Sequence, residues 1–352
     1  MAMKRLKKLL SVVLSFCMIA GMAFAMPTTA SAAGAVAENG GSKSSDSQYR
    51  IVHLDAGRKY FSVDSIKQII DTMAAAGYNY LELAVGNDGM RFLLDDMSLT
   101  VGDKTYESDA VKTAIQNGNK AYSDFGTNEL TQGEMDEIIN YASEKGIGII
   151  PLINTPGHMD AILDAMTALG VQNAAYGNSW NKSERTIDVT NEEAKAFTYA
   201  FVEKYIQYFA GKGCTVFNMG ADEYANDVFT SGGMGFGQLQ SQRQYGAFVE
   251  YVNGMASQIR SAGMRPMAFN DGIYYNGDTA SGTFDSDILI AYWSSGWSGY
   301  NVASASFLAG QGFDLVNTNG DYYWIVGKDS CTVEKAAGFD INSFIGESSP
   351  ME

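Results

Sequence analysis

The sequence has few of the residues that build metal centres and disulfide frameworks. Its 352 residues include three cysteines and two histidines. Cys17 lies in a segment that we expect to be removed, and Cys214 and Cys331 alone make neither a disulfide framework nor a metal cluster. Because a metal-dependent hydrolase needs clusters of histidine and carboxylate ligands, we expect neither a metal nor another cofactor.

Positive charge is also scarce. The chain carries 24 Lys and Arg against 40 Asp and Glu, which gives a formal net charge of −16. The first 32 residues hold four of the cations and no acid, so the remainder is more acidic still. This balance argues against nucleic acid or an anionic membrane as a partner and suits a secreted protein that acts on neutral ligands.

The only long apolar stretch lies at the N-terminus. A basic start over residues 4–8 precedes an apolar stretch over 9–24, and Ala30-Ser31-Ala32 offers a cleavage site, with Ala23-Phe24-Ala25 as a second candidate. We predict a secretory signal peptide over residues 1–32 and a secreted or cell-surface protein. No later stretch is long and apolar enough to cross a bilayer, so we expect no membrane insertion.

Gly- and Ser-rich residues 33–49 are predicted to form a flexible linker. From residue 50 onward, short apolar runs alternate with stretches of helical spacing. The runs are 51–55, 78–85, 147–152, 214–219, 265–270, 287–292 and 313–318, and the helical stretches are Ile66–Met73, Met135–Ala142, Phe197–Phe209 and Phe248–Ile259. Continuous apolar runs are typical of buried parallel strands. The alternation therefore predicts an α/β protein with a TIM (β/α)8 barrel.

A closed barrel has eight strands, and the sequence offers seven candidates. Either a strand around Thr186–Val189 escapes the pattern, or the chain ends before strand eight. We predict the second, which makes residues 50–352 a C-terminally incomplete catalytic barrel. The long excursion over 92–130, between strand two and its helix, is predicted to carry a small hairpin at LTVGDKTYE.

Polar and aromatic residues follow the predicted strands, where barrel enzymes build their sites. The candidates are Arg58 after strand one, His158 after strand three, Asp222 and Glu223 after strand four, Asp271 after strand five, Trp293 after strand six and Tyr323 after strand seven. Sugars need carboxylates, amides and flat aromatic faces, so this set favours a carbohydrate site. Each residue also has a structural interpretation: His158 could cap the following helix, Arg58 could pair with any nearby acid, and Trp293 could be packing.

The stretch FNMGADEYAND, residues 217–227, sets Asp222 beside Glu223. Repulsion and partial burial raise one of two such pKa values, so that one acid stays protonated while the other is ionised. Glycosidic cleavage needs a proton donor and an anion of this kind. Adjacent residues cannot easily flank a sugar from opposite faces, which favours a substrate group as the nucleophile. From the pattern alone, an exposed acidic turn remains an alternative.

Three segments carry a family resemblance. LDAGRKYF at strand one, NTPGHMDAIL at strand three and MGADEYAND at strand four resemble glycoside hydrolase family 20, the β-N-acetylhexosaminidases. Within the family, the chain is similar to bacterial surface-associated exo-hexosaminidases. The resemblance covers about residues 50–352.

The resemblance implies substrate-assisted, retaining hydrolysis, in which the 2-acetamido carbonyl attacks its own anomeric carbon. It implies that Glu223 is the general acid and base, and that Asp222 orients the acetamido N–H. The remaining implied roles are substrate hydroxyl binding by Arg58, support of the acid by His158, a wall of the acetamido pocket by Trp293, and acetamido carbonyl binding by Tyr323, with Tyr322 second.

The sequence departs from the family pattern at two strand ends. Phe269-Asn270-Asp271 stands where the family often has a Trp, so Asp271 is expected to contact sugar instead. Gly86-Asn87-Asp88 replaces a common acidic pair and leaves Asp88 a weak candidate. The predicted function is an exo-β-N-acetylhexosaminidase acting on terminal GlcNAc or GalNAc of glycans. Alternatives are a lacto-N-biosidase of the same family and a non-catalytic glycan-binding protein on a degenerate barrel. Oligomeric state cannot be inferred.

Overall fold

A computed structural model of the protein describes residues 49–122, 128–230 and 233–319, together with residues 334, 337 and 338. Residues Tyr49–Thr318 belong to one compact unit, and the described residues after Thr318 belong to a second. The predicted signal peptide, nearly all of the predicted linker and the candidate Tyr323 lie outside the described residues. Among the helices that the structure describes, none is long and apolar enough to span a bilayer.

Within the described residues, the central sheet contains seven parallel strands in chain order. They are β1 (Ile51–Asp55), β2 (Tyr80–Asn87), β3 (Gly148–Thr155), β4 (Val216–Gly220), β5 (Arg265–Phe269), β6 (Leu289–Tyr292) and β7 (Leu315–Asn317). Each is hydrogen-bonded in parallel to its neighbours in sequence, and Gly89–Met90 adds a short antiparallel strand beside β2. All seven predicted strands are confirmed, and this order is that of a (β/α)8 barrel.

Helices follow the strands and cover the outer face of the sheet. They are α1 (Val63–Ala75), α2 (Ser108–Tyr122), α3 (Gln132–Glu144), α4 (Asp160–Ala168), α5 (Glu192–Gly211), α6 (Phe236–Ser241), α7 (Tyr245–Ser261) and α8 (Ala305–Gly310). The four predicted helices are confirmed as α1, α3, α5 and α7. Side chains fix where they begin: Ser62 accepts a hydrogen bond from the Ser65 N–H before α1, and Thr131 forms a capping box with Glu134 before α3.

In the part of the chain that the structure describes, three two-stranded antiparallel pairs lie outside the central sheet. The predicted hairpin in the excursion is confirmed, with Leu99–Val101 paired to Lys104–Tyr106. Phe229–Thr230 pairs with Gly233–Met234. Ala175–Gly177 pairs with Lys182–Ile187 to form what we call the 175–187 hairpin. Its second strand includes Thr186, so the segment around Thr186–Val189 is not a missing barrel strand. An eighth strand, if the protein has one, lies outside the described residues.

The core has two parts because successive side chains of a strand point to opposite faces. The larger part packs strand outer faces against helices. The smaller part fills the lower interior of the barrel with Ile150, Val216, Met267, Leu289, Ala291 and Val316. Toward the carboxyl ends of the strands the interior becomes polar, and the candidate site lies at that end.

Candidate active site

The acid pair projects from a turn of unusual backbone geometry at the end of β4. Gly220, Ala221 and Glu223 have φ values of 79°, 71° and 46°. Residues other than glycine rarely adopt this left-handed conformation, and such strain concentrates at functional sites. A Cβ on Gly220 would lie 1.9 Å from Asn154 Oδ1, so this position requires glycine. The turn therefore presents two successive carboxylates to the same side.

Asp222 is largely buried and is held by β3. Asn154 Nδ2 donates a 2.7 Å hydrogen bond to Asp222 Oδ1, and His158 Nε2 lies 3.7 Å from Asp222 Oδ2. Burial raises the pKa of Asp222, and the charge of Glu223 adds to this effect, although His158 and Asn154 oppose it. Asp222 thus has the higher proton affinity expected of one member of the pair.

The pKa of Glu223 is shifted in the opposite direction, to a lower value. Its Oε2 lies 3.2 Å from His158 Nε2 and accepts a 2.7 Å hydrogen bond from Asn226 Nδ2. Burial alone would raise the pKa of Glu223, but the hydrogen bond and positive charge of His158, with the more distant Arg58, hold it below its ordinary value. The environment therefore separates the pKa values of the two carboxyl groups, and in the free protein the higher pKa lies on Asp222 rather than on Glu223, the expected proton donor.

His158 belongs to a chain of charged groups that continues away from the acid pair. Its Nδ1 lies 2.7 Å from Asp88 Oδ1, and Arg58 Nε donates a 2.7 Å hydrogen bond to Asp88 Oδ2. Burial alone would lower the pKa of His158, but the charges of Asp88 and Asp222 raise it well above its ordinary value. His158 is therefore favoured as an imidazolium between two carboxylates.

Arg58 is the exposed end of this chain. Besides Asp88, its Nη1 donates a 2.7 Å hydrogen bond to Asp55 Oδ2 at the end of β1. These two acids fix the guanidinium at the mouth of the barrel, while 42% of its side chain stays accessible. Arg58 is therefore held in place with part of its side chain within reach of a ligand.

Asp271 lies under the acid pair, at the end of β5. It is fully buried, and its Oδ2 accepts hydrogen bonds from the Glu223 N–H at 2.8 Å and from Tyr300 OH at 2.6 Å. Trp293 Nε1 donates a 2.9 Å hydrogen bond to Asp271 Oδ1. Burial and the charge of Asp222 raise the pKa of Asp271 to about 7, against the effect of these three donors. We expected Asp271 to contact sugar; its burial and its partners instead make it a support for Glu223 and Trp293.

The loops that carry His158 and Glu223 are tied together by the 175–187 hairpin. The Met159 N–H donates a 2.8 Å hydrogen bond to Arg185 O on one side. On the other side, Ser183 Oγ donates a 2.7 Å hydrogen bond to Asp227 Oδ1. Because both contacts come from one strand of the hairpin, it helps to fix the distance between the two loops.

His158, Asp222 and Glu223 each offer a potential metal-ligand atom, and these atoms lie within 4.8 Å of one another. Such a trio could hold a cation only if the imidazole were neutral, because an imidazolium has no free lone pair. The raised pKa of His158 opposes that state. The arrangement suits proton transfer better than metal binding.

The structure brings six of the seven predicted site residues into one network, and Tyr323 lies outside the described residues. Asn154 and Tyr300 join the network without having been predicted as members, and so does Asp88, for which the prediction was only weak. Asp88 was a weak candidate after strand two, and its pairing with both Arg58 and His158 makes it central. Asn154 lies on β3 where its register against β4 is irregular, between Leu152 and Thr155, so strand alternation alone did not single it out.

These features define a class of glycoside hydrolase site. The fourth strand of a (β/α) barrel ends in two adjacent carboxylates, and one of them contacts a histidine that follows the third strand. The family model "Glycosyl hydrolase family 20, catalytic domain" matches residues 48–342. The chain therefore belongs to glycosyl hydrolase family 20, and the resemblance to this family and the TIM barrel predicted from the sequence are confirmed.

Several known proteins are similar to this chain. A lacto-N-biosidase of Bifidobacterium bifidum is 27% identical over 204 residues, which cover 55% of this chain and 17% of that protein. A beta-hexosaminidase of Vibrio vulnificus is 22% identical over 314 residues, which cover 78% of this chain and 36% of that protein. The chain thus spans less than half the length of these curated relatives.

Solved structures are also similar to this chain. One from a study of the tandem GH20 catalytic modules of the pneumococcal exo-beta-D-N-acetylglucosaminidase StrH has a TM-score of 0.76 and 48% sequence identity, covering 81% of this chain and 69% of that chain. The structure of Dispersin B, at 21% identity and a TM-score of 0.59 over 79% of this chain and 77% of that chain, shares the fold.

Proposed function

We propose that this protein is an exo-β-N-acetylhexosaminidase that removes terminal β-linked N-acetylglucosamine or N-acetylgalactosamine from glycans by substrate-assisted, retaining catalysis. The observation that carries the proposal is the acid pair. Asp222 and Glu223 come from one turn, and each offers a carboxylate oxygen within 4.8 Å of the other and of a nitrogen of the shared His158.

In this mechanism the two carboxylates act on different atoms of one sugar. Glu223 protonates the leaving oxygen and then accepts a proton from the attacking water, so it acts as acid and then as base. Asp222 accepts a hydrogen bond from the acetamido N–H as the acetamido carbonyl oxygen forms a bond to the anomeric carbon. Water then breaks that bond, and the product keeps the β configuration.

The neighbouring groups support these steps. The His158 imidazolium stabilises the Glu223 carboxylate that remains once its proton has left, which favours proton donation. Arg58, held by Asp55 and Asp88, is placed to bind hydroxyl groups of a terminal sugar, and this suits exo action. Trp293, whose indole N–H is fixed by Asp271, offers a wall for the acetamido group.

The experiment is hydrolysis of 4-nitrophenyl N-acetyl-β-glucosaminide, with 4-nitrophenyl β-glucoside as a matched substrate that lacks the acetamido group. We expect turnover of the first only, with the β anomer appearing first by NMR. On an unactivated chitobiose substrate, Glu223→Gln should lose activity by on the order of 100- to 10,000-fold. Asp222→Asn should lose activity on both acetamido substrates.

The control is Asp287→Asn, which changes a carboxylate paired with Arg260 outside the acid-pair network. Wild-type turnover in either acid-pair variant would contradict its assigned role. Release of lacto-N-biose from its nitrophenyl glycoside, without release of GlcNAc, would favour the lacto-N-biosidase alternative. A folded chain that binds these sugars without hydrolysing them would favour the glycan-binding alternative.

We also propose that the protein is secreted or displayed on the cell surface. The support is the basic and apolar composition of residues 1–32 with its small-residue cleavage site. N-terminal sequencing of the exported protein should begin near residue 33, and an intracellular protein that retains residues 1–32 would contradict the proposal.

A further inference from the structure

A second polar cluster lies below the acid pair, separate from the chain of Arg58, Asp88 and His158; two of its members are buried, and the third, His53, is exposed at its edge. It consists of His53 on β1, Glu82 on β2 and Asn218 on β4. Glu82 Oε2 lies 2.6 Å from His53 Nδ1, and Glu82 Oε1 accepts a 2.6 Å hydrogen bond from Asn218 Nδ2. Glu82 is only 2% exposed and Asn218 is fully buried. A buried carboxylate is costly even when it is paired, so an apolar residue would serve packing better at this position.

The contact between Glu82 and Asn218 crosses a strand. Their strands β2 and β4 are separated by β3, so their backbones are second neighbours, about 9–10 Å apart in a flat sheet. The side chains meet because both point into the curved interior, where alternate strands of a barrel contribute to one layer. Alternation agrees: Val216, two residues before Asn218, belongs to the interior apolar cluster, and Tyr80, two residues before Glu82, packs against it.

The cluster ends at the turn that carries the acid pair. Asn218 Oδ1 accepts a 2.8 Å hydrogen bond from the Gly220 N–H. The Asn218 amide can lie only one way round, since the reverse orientation would set its NH2 against the Gly220 N–H and its oxygen against the Glu82 carboxylate. Glu82 therefore fixes the orientation of Asn218, and Asn218 fixes the first residue of the left-handed turn.

We propose that Glu82 and Asn218 are positioning residues, which hold from inside the barrel the turn that projects Asp222 and Glu223. The catalytic part of this inference rests on the proposed function. Asn154 contacts the Asp222 side chain, whereas the hydrogen bonds of Asn218 go to Glu82 and to the Gly220 backbone. Asn218 thus acts on the pair through the backbone alone.

The first test is steady-state kinetics of Asn218→Ala, Glu82→Leu and Glu82→Gln. Displacement of catalytic groups by about 1 Å can cost on the order of 100-fold in rate, so Asn218→Ala and Glu82→Leu should lower kcat by roughly 10- to 100-fold. KM should change by less than about threefold, because Arg58 and Trp293 project from other strand ends. Glu82→Gln keeps an oxygen acceptor for Asn218 and should recover most of kcat.

A rescue guards against variants that fail to fold. Asn218→Asp preserves volume but sets a carboxylate against Glu82, so kcat should fall. The double variant Glu82→Gln with Asn218→Asp restores one donor and one acceptor and should regain activity. The control is Tyr205→Phe, which removes a buried 2.8 Å hydrogen bond to the Phe92 carbonyl. It should lower Tm and leave kcat unchanged. Wild-type kcat in folded Asn218→Ala, or no recovery in Glu82→Gln and the double variant, would overturn the inference.

Amide hydrogen exchange at Gly220 tests the same inference without turnover. Exchange should be faster in Asn218→Ala and Glu82→Leu than in the wild type and in Tyr205→Phe. Unchanged exchange in both variants would overturn the anchoring of the turn, whatever the kinetics. A wild-type chain that is silent on every substrate would instead refute the proposed function, and the exchange measurement would still decide on Gly220.

Discussion

Removal of His158 should shift the pH dependence of the reaction in a direction that the geometry determines. His158 Nε2 lies 3.2 Å from Glu223 Oε2, and it lowers the pKa of Glu223. At that distance two opposite unit charges attract by about 1 kcal/mol at the dielectric constant of water and by about 5 kcal/mol at an effective value of 20. One pKa unit corresponds to about 1.4 kcal/mol. Because 26% of the Glu223 side chain is exposed, the lower end applies, and His158→Ala should raise its pKa by about one unit.

The assay is kcat/KM against pH, with a chitobiose substrate whose leaving group needs a proton. If Glu223 must be protonated in the free enzyme, a higher pKa extends activity upward, and the basic limb moves up by about one pH unit. The maximal rate should fall, because the support of the Glu223 carboxylate is lost. His158 also lowers the pKa of Asp222, so the acidic limb should move in the same direction.

The control is Arg260→Ala, which removes a positive charge that is paired with Asp285 and Asp287, outside the acid-pair network. Its pH profile should match the wild type, since screening removes the effect of distant surface charges. A basic limb that stays in place or moves to lower pH in His158→Ala would refute the assignment of Glu223 as the proton donor controlled by His158.

Two further predictions concern the turn and its support. Gly220→Ala should lower both Tm and kcat, because a Cβ would meet Asn154 Oδ1. The matched control is Gly213→Ala, since Gly213 has a similar φ of +83° with open space around it. This control should lose only about 1 kcal/mol of stability, without change in kcat. Equal effects in the two variants would contradict the close approach. The pKa of Asp271 is raised from its ordinary value of 3.8 to about 7, so the folded state holds a proton that the unfolded state releases, and the free energy of unfolding should fall as pH rises between those values. Asp271→Asn should flatten that slope in urea unfolding at pH 5 and pH 7, and an unchanged slope would argue against the shift.

The strands and helices were predictable because a strand that is buried on both faces appears in the sequence as a continuous apolar run. Each barrel strand is an apolar run between helical stretches, and all seven are found in the structure. Helix α2 was not predicted because the sequence of the excursion over 92–130 is mostly polar. Its buried residues, among them Val111 and Ile115, form a narrow stripe.

The site was predictable only in part. Residue types at strand ends identified Arg58, His158, Asp222 and Glu223, because a barrel brings those ends together. The sequence did not show which groups bond to which. Asp271 lies two residues past the end of β5, and its burial under Tyr300 depends on a loop whose course local pattern does not determine. The charged residue Glu82 within the apolar run YLELAV was a signal of the interior polar cluster.

The 175–187 hairpin combines a strand that is bonded to the loops of the site with an exposed tip. Its hydrogen bonds to the loops of His158 and Glu223 come from Ser183 and Arg185, on the strand that follows the tip. Its tip, residues 178–181, is closed on itself through the Asn178 side chain, and Trp180 there is 84% exposed. None of these loop contacts uses a tip side chain, so substitutions at the tip can change the surface that a long glycan would encounter while those hydrogen bonds persist. In this arrangement substrate range and chemical competence can evolve independently.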